Sequence, residues 1–251
     1  MGYPLFPRLR PRLAAAFLVV VPTLASGLPG QANTVDRAPD GASPLPVSAL
    51  YGDRIEFDIF RSGARVGSHR VSFTEREDGL SVTTDFDLEI GALFITFFEL
   101  QYRSEALWRD GQLVWLSART NRNGDVSTVD VRNRQGSLTV EGPNGFYEAA
   151  LGIYPTNHWN AGVIRSTQLV NTITGRVNDV RLVARGTEQV QTDRGLVEAT
   201  RYQYDGAIQN EVWYDSEGRW VAMQFPGDDG SLIELRCNKC FPGKTAGRGD
   251  E

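Results

Sequence analysis

The feature that most constrains the fold of this chain is a two-residue alternation of apolar and polar side chains. Between residues 80 and 90, Leu80, Val82, Phe86, Leu88 and Ile90 are separated by Ser, Thr, Asp and Glu residues. Successive side chains of a β-strand lie on opposite faces, so this segment is expected to form a strand with one apolar and one solvated face. The same alternation recurs along most of the chain and predicts strands throughout.

The alternating segments end in turns that contain glycine. The dipeptides at these positions are Asp78-Gly79, Asp110-Gly111, Asn123-Gly124, Gln135-Gly136, Arg194-Gly195, Glu217-Gly218 and Asp229-Gly230. Tight hairpins need positive φ, which glycine adopts without steric cost. The pattern predicts an all-β domain, with a large antiparallel meander sheet curled into a barrel or half-barrel, or folded as a sandwich.

Two short segments in the middle of the chain are predicted to be helical, residues 146–151 and residues 159–165. Such a mid-chain excursion would either plug an open end of the barrel or form a crossover between two sets of strands.

The first 32 residues have the organisation of a secretory signal peptide. Arg8, Arg10 and Arg12 precede an apolar run of nine residues, 13–21, which is shorter than the roughly 20 residues needed to span a bilayer. We predict cleavage near Ala25 or Ala32 and export to the periplasm as a soluble protein without a stable membrane anchor. An uncleaved anchor is the alternative.

The remaining chain is predicted to contain a flexible leader at residues 33–48, a single β domain at residues 49–242 and a disordered tail at residues 243–251. Without the signal peptide, 23 basic side chains stand against 31 acidic ones, a net charge of −8. A protein that binds nucleic acid needs a basic surface. The composition therefore excludes nucleic acid as a partner.

Residues 92–98 break the alternation, because six of these seven residues are apolar. A strand with this sequence presents apolar side chains to both faces of the sheet. Either a helix or loop covers the outer face, or the apolar surface lines a cavity or contacts a lipid or partner. If this strand lay at an exposed sheet edge, the protein could also form homo-oligomers.

We predict a ligand site lined by this apolar segment and by aromatic residues of the neighbouring strands. The predicted ligand-binding residues in this part of the chain are Leu93, Phe94, Phe97, Phe98, Tyr102 and Trp108.

A polar loop is the most suggestive segment for chemistry, because Asn157 and Asn160 bracket His158 and Trp159. Binding and catalytic residues favour loops of this kind, and we include Asn157, His158 and Trp159 in the ligand site. The alternative is that His158, with Asn157 or Asn160, serves an envelope hydrolase or lyase. No established catalytic motif is present.

Two other groups of residues carry atoms that could bind a metal or take part in redox chemistry. The carboxylates of Asp85, Asp87 and Glu89 share one strand face, but neighbours are some 7 Å apart, and a solvated face is the better interpretation. Cys237 and Cys240 predict a local disulfide in an exported protein. Redox activity, or zinc shared with His69 or His158, are the alternatives for the cysteines. No metal and no cofactor are predicted.

Several longer sequence segments resemble a family of exported proteobacterial domains of unknown function. They are residues 102–108, 113–120, 167–175, 211–215 and 218–220, and the resemblance covers residues 53–236. That family is similar to periplasmic antiparallel half-barrels, including lipoprotein-carrier and lipocalin-like folds. By analogy, the resemblance implies a role in handling an apolar ligand or lipid. The two cysteines lie beyond the family pattern.

These observations favour a periplasmic binding or carrier protein that shelters an apolar or lipid-like ligand in a curved β-sheet. The scarcity of His and Cys favours binding over catalysis. The hydrolase or lyase, and a structural or interaction module of the cell envelope, are the alternatives.

Overall fold

The computed structural model describes residues 46–92, 95–134, 136–206, 208–227 and 229–243. The predicted signal peptide, nearly all of the predicted leader and the tail beyond Gly243 lie outside these ranges. One α-helix, α1, spans Val47–Tyr51, and one 3-10 helix, η1, spans Ala161–Arg165. The strands are β1 Arg54–Arg61, β2 Ala64–Arg76, β3 Gly79–Ala92, β4 Ile95–Arg109, β5 Gln112–Arg122, β6 Asp125–Arg134, β7 Ser137–Gly142, β8 Gly145–Ala150, β9 Tyr154–Pro155, β10 Gln168–Val170, β11 Val177–Thr192, β12 Gly195–Gly206, β13 Glu211–Asp215, β14 Trp220–Pro226 and β15 Leu232–Lys239.

The alternation and the turns are both present as the sequence predicts. In β1, Ile55, Phe57 and Ile59 are buried while the residues between them are partly exposed. The glycine of each of the seven predicted turn dipeptides has positive φ. At Asp110-Gly111 and Asn123-Gly124 both residues have positive φ, which a type I′ hairpin turn requires.

The strands form one sheet, in which all neighbours along the chain except β8 and β9 are also neighbours in the sheet. Strands β1–β8 form one meander and β9–β15 form a second, and the two are joined where β1 pairs with β15 antiparallel. One pair, β9 with β10, is parallel. The edges of the sheet are β8 and β9, so the sheet is not closed. The predicted fold class is confirmed.

The sheet is strongly curled around a segment of the chain. The Asn157 side chain lies 3.5 Å from the hydroxyl of Tyr102 in β4, and the ring of the next residue, His158, lies 3.1 Å from the hydroxyl of Tyr204 in β12. Strands β4 and β12 are seven positions apart in the sheet order, which in a flat sheet would place them about 34 Å apart. Two adjacent residues can contact both strands only because the sheet curls.

At one end of the gap between the sheet edges, the turn between β7 and β8 packs directly against the turn between β10 and β11. A Cβ atom added to Gly142 would lie 2.9 Å from the Cα atom of Gly175. The amide of Asn144 donates to the carbonyl of Thr174 over 3.0 Å, and Arg176 donates to the Asn144 side-chain oxygen over 3.0 Å. We call this contact the seam.

The curled sheet has two ends, which we call rim 1 and rim 2. Rim 1 carries the turns that follow β1, β3, β5, β7, β10, β12 and β14, including the seam. Rim 2 carries the turns that follow β2, β4, β6, β8, β11 and β13, together with α1. Tyr51 of α1 is fully buried, and its ring stacks on Phe73 at 5.6 Å. The helix therefore helps to fill the interior at rim 2.

The structure corrects two expectations about single elements. Residues 146–151 are not helical, because 145–150 form β8, where Tyr147 pairs with Val140 and Ala149 is buried. A short apolar run cannot be assigned to helix or strand by periodicity alone. The second helical candidate, residues 159–165, contains η1. Strand β4, which carries Phe97 and Phe98, lies between β3 and β5 and is not an edge of the sheet.

Among the described residues, no helix is both long and apolar enough to cross a membrane.

Candidate functional site

The interior of the curled sheet is occupied by residues 156–160, which we call the interior loop. The loop follows β9, and its residues Asn157, His158 and Trp159 are all buried. It ends at Asn160, whose side-chain oxygen accepts a hydrogen bond of 2.9 Å from the Gly162 amide and so caps η1. Of the two interpretations of the mid-chain excursion, the packing supports the plug.

Two tyrosine hydroxyls hold the backbone of the interior loop. Tyr214 donates to the His158 carbonyl oxygen over 2.7 Å, and Tyr51 donates to the Trp159 carbonyl oxygen over 2.8 Å. The Tyr51 oxygen also accepts a hydrogen bond of 2.9 Å from the backbone amide of Trp220. Buried backbone groups need such partners because they have lost water. The loop is therefore fixed by side chains from α1 and β13.

Burial keeps these hydroxyls protonated. Removal from water disfavours the charged phenolate, and this raises the pKa of Tyr51 and of Tyr214 above the usual value of 10.0. The pKa of Tyr204 is raised for the same reason. All three residues are thus neutral hydroxyl groups across the physiological pH range.

Asn157 contacts a polar patch on the inner face of β3 and β4. Its amide nitrogen lies 3.4 Å from the Thr84 hydroxyl and 3.5 Å from the Ser104 hydroxyl, and its oxygen lies 3.5 Å from the Tyr102 hydroxyl. Thr84, Ser104 and Tyr102 are all buried. These polar residues face a polar loop residue inside the sheet, which explains why they interrupt the apolar inner face.

His158 lies in a protein-filled environment. The residue is 2% exposed, its Nδ1 atom lies 3.1 Å from the Tyr204 hydroxyl, and its ring packs edge-on against Trp220 at 5.6 Å. Burial lowers its pKa from 6.5 to about 4, so the ring is neutral at neutral pH. Its hydrogen-bond partner is a tyrosine and not a carboxylate. This geometry favours a packing role over a general base that meets a substrate.

The second histidine, His69, also packs against Trp220. Its ring centroid lies 5.4 Å from Trp220 and 5.6 Å from Phe86. Burial, with a smaller contribution from His158, lowers its pKa from 6.5 to about 3. Its Nδ1 atom is buried without a hydrogen-bond partner among the described residues. Together the two histidines and Trp220 form a buried aromatic layer inside the curled sheet, which we call the floor.

The predicted site residues nearer rim 2 are packed together. The rings of Trp108 and Trp159 lie 5.3 Å apart, and Trp159 lies 5.4 Å from Phe73. Two clefts also lie at this end of the sheet. One, of about 450 Å³, is lined by Phe73 and by the polar residues around Arg54 and Arg70. The other, of about 320 Å³, lies between residues 150–154 and 165–168.

Phe97 and Phe98 of the apolar segment lie on opposite faces of the sheet. Ile90 pairs with Phe98 and Gly91 pairs with Thr96, so Phe97 is the extra residue of a β-bulge. Phe97 is 64% exposed, so of the two alternatives for this segment, cover by a helix or loop does not apply at Phe97. Phe98 is half-buried and packs against the core. Leu93 and Phe94 lie outside the described residues.

Phe98 belongs to a set of half-buried apolar side chains on the inner face toward rim 1, which we call the mouth. Strand pairing places the members of this set on the same face as the buried floor and at the same end of the sheet. They are Phe86, Ile90, Phe98 and Leu100 on one wall and Leu182, Met223 and Phe225 on the other. Among the described residues, neither helix lies at this end.

The two cysteines form the predicted disulfide. It closes the end of β15, and Asp193 in the turn after β11 accepts a hydrogen bond of 3.2 Å from the Cys240 amide. Within the described chain, the one group of three side chains with metal-ligating atoms close together is Asp193, Cys237 and Cys240. Since the two sulfurs are bonded to each other, they are not available as thiolate ligands. Neither histidine belongs to this group.

No local sequence pattern identifies the tyrosines that hold the interior loop. Tyr51 and Tyr214 are distant from the loop along the chain, and each acts on a backbone carbonyl.

The comparisons with known proteins agree with this fold. Residues 57–238 match the model of a family described as Domain of unknown function (DUF6134). The chain is also similar to the crystal structure of a beta-barrel-like protein of domain of unknown function DUF1849 from Brucella abortus, with a TM-score of 0.54 and 13% sequence identity. That similarity covers 74% of this chain and 95% of the other. No curated protein matches this chain. At this identity, the likeness shows a beta-barrel-like fold alone.

Proposed function

We propose a function from the geometry of the mouth, since the family to which the chain belongs, DUF6134, is described only as a domain of unknown function. The protein is a periplasmic binding or carrier protein, and the mouth holds an apolar or lipid-like ligand. The periplasmic location rests on the signal-peptide pattern of residues 1–32.

The observation that carries this proposal is the partial exposure of several apolar side chains on the inner face toward rim 1, where others, such as Leu88 and Ile233, are buried. The floor, formed by His69, His158 and Trp220, is buried, whereas Ile90 and Phe98 nearer rim 1 are only half-buried. Burying this remaining apolar surface against a ligand is favourable by about 25 cal/mol per Å². Ligand sites in curved sheets lie at such barrel mouths.

The chemistry of the floor supports binding more than turnover. Both histidines are neutral at neutral pH, because burial lowers their pKa values to about 3 and about 4. A neutral, aromatic floor suits an acyl chain, since it places no buried charge next to apolar carbon. The ligand of the mouth is therefore an aliphatic chain that enters from rim 1.

Fluorescence titration with a dansylated long-chain fatty acid tests the proposal. The protein is purified from cells that express the full chain, and native mass spectrometry of the same sample reports any co-purified lipid. We expect saturable binding of the probe. The variant Phe98→Asp should weaken it about tenfold or more, because a carboxylate then replaces an apolar wall residue.

Leu196→Asp is the matched control, because Leu196 is 65% exposed and lies at rim 2. It should bind the probe as the unmodified protein does. Circular dichroism and thermal melting establish that each variant is folded. Failure of the unmodified protein to bind the probe, or equal binding by a folded Phe98→Asp variant, would overturn the proposal.

A further inference from the structure

The exposed apolar side chains of this protein are concentrated at one end. Among the described residues, seven large apolar side chains are exposed. Strand direction places five of them at rim 1 and two, Leu151 and Leu196, at rim 2. The five at rim 1 are Phe97, Val126, Phe146, Ile173 and Leu232.

These five side chains lie on separate turns or strand ends around the mouth. Phe97 follows the turn between β3 and β4, Phe146 follows the seam turn after β7, and Ile173 lies in the turn after β10. A protein interface normally has a contiguous packed core. Phe146 and Ile173 lie on the two turns of the seam, but the other three side chains are distributed over separate turns around the opening and do not supply such a core. A lipid surface adapts to them, because each side chain can enter the interface by itself.

The charges of rim 1 indicate which lipid surface fits. Arg61 forms an ion pair with Asp229, and Arg176 donates to the side chain of Asn144. Asp205 forms an ion pair with Arg181 at 2.6 Å, and Asp125 is the strand partner of Arg122 at the turn after β5. Anionic lipids attract clusters of lysine and arginine, and rim 1 has no excess of basic residues among its described turns. A zwitterionic surface is the complementary one.

We propose that rim 1 docks on a zwitterionic lipid bilayer, with Phe97 and Phe146 entering the lipid interface so that the mouth opens toward the membrane. This adds a partner to the proposed function, since an acyl chain could then pass between bilayer and mouth. Docking itself needs no ligand in the mouth, so the two proposals are tested separately.

Sedimentation with phosphatidylcholine vesicles tests the docking surface. The purified protein should sediment with the vesicles. The partition coefficient of the double variant Phe97→Ser/Phe146→Ser should be lower by a factor of about ten or more. The control Leu196→Ser removes an apolar side chain of nearly equal exposure, 65% against 64% for Phe97 and 62% for Phe146, from the opposite end. It should leave partitioning unchanged.

Three results would overturn the docking proposal. The first is no binding to phosphatidylcholine vesicles, and the second is binding only when phosphatidylglycerol is added. The third is an equal loss of vesicle binding in the rim 1 and rim 2 variants. A dimer in light scattering that the rim 1 double variant abolishes, without vesicle binding, would identify a second copy as the partner instead. If the protein binds the fatty acid but does not bind vesicles, only the docking proposal is refuted. If it binds vesicles but does not bind the fatty acid, only the ligand proposal is refuted.

Discussion

Removing the hydroxyl group of Tyr51 should destabilise the domain more than removing the hydroxyl group of a tyrosine that makes only one hydrogen bond. The Tyr51 oxygen serves two buried backbone groups, the Trp159 carbonyl at 2.8 Å and the Trp220 amide at 2.9 Å. In Tyr51→Phe both groups lose their partner while the ring stays in place. A buried polar group left unsatisfied costs about 1–3 kcal/mol, so the expected loss is about 2–6 kcal/mol.

Two other tyrosines provide a graded comparison. Tyr214 donates to one buried carbonyl, that of His158, so Tyr214→Phe should cost about 1–3 kcal/mol. Tyr202 is half-buried and its hydroxyl has no hydrogen-bond partner among the described residues, so Tyr202→Phe should change stability by about 0.5 kcal/mol or less.

Urea unfolding followed by tryptophan fluorescence measures these differences. For a domain of this size, each kcal/mol also corresponds to about 2–4 °C in Tm. The expected order of stability is Tyr202→Phe, then Tyr214→Phe, then Tyr51→Phe as the least stable. The reasoning is refuted if Tyr51→Phe is as stable as Tyr202→Phe, because the two hydrogen bonds would then contribute nothing.

Three further predictions concern pH, the seam and the disulfide. Burial lowers the pKa of His158 from 6.5 to about 4 and that of His69 to about 3, so at about pH 5.5 the unfolded chain binds protons that the folded chain does not. Stability should therefore fall between about pH 7.5 and 5.5 by about 1.4 kcal/mol per histidine, and a urea midpoint that does not move would contradict this. Gly142→Ala should cost about 1–3 kcal/mol in the same assay, because the added methyl group would lie 2.9 Å from the Cα atom of Gly175. Titration of the folded protein should find no free thiol before reduction, and reducing Cys237–Cys240 should lower stability by about 2 kcal/mol, the value for such a short loop.

Each of these predictions has a control. Gly243→Ala adds a methyl group with no neighbour within 4 Å and should be neutral. In His158→Gln the loss of stability at low pH should be about half as large, because only His69 then takes up a proton on unfolding. Detection of two free thiols in the folded, unreduced protein would rule out the disulfide.

The strands and turns were predictable because their signals are local. The burial of Ile55, Phe57 and Ile59 follows from their spacing, and glycine marks the turns by its freedom at positive φ. Residues 146–151 were misassigned because a short apolar run has no decisive period. Gly145, with φ of 106°, is part of a turn that identifies the following residues as the second strand of a hairpin.

The candidate site was only partly predictable, because it depends on contacts between distant residues. The sequence singled out Asn157, His158 and Trp159, and the structure brings Asn157 together with Tyr102 and Trp159 together with Trp108. Their predicted role in ligand binding stays a prediction. The β-bulge that turns Phe97 outward depends on how β4 pairs with β3. Neither that pairing nor the curl of the sheet can be predicted from a single segment of the sequence.

The pairing of β1 with β15 sets the order in which this domain can assemble. The other described strand pairs join neighbours along the chain, and all of them except the parallel pair β9–β10 can form as local hairpins. By contrast, Glu56 of β1 pairs with Lys239 near the end of the described chain. During synthesis, the two meanders therefore stay unjoined until β15 has left the ribosome. A chain that stops before Leu232 would carry two half-sheets, each with an additional bare edge open to aggregation.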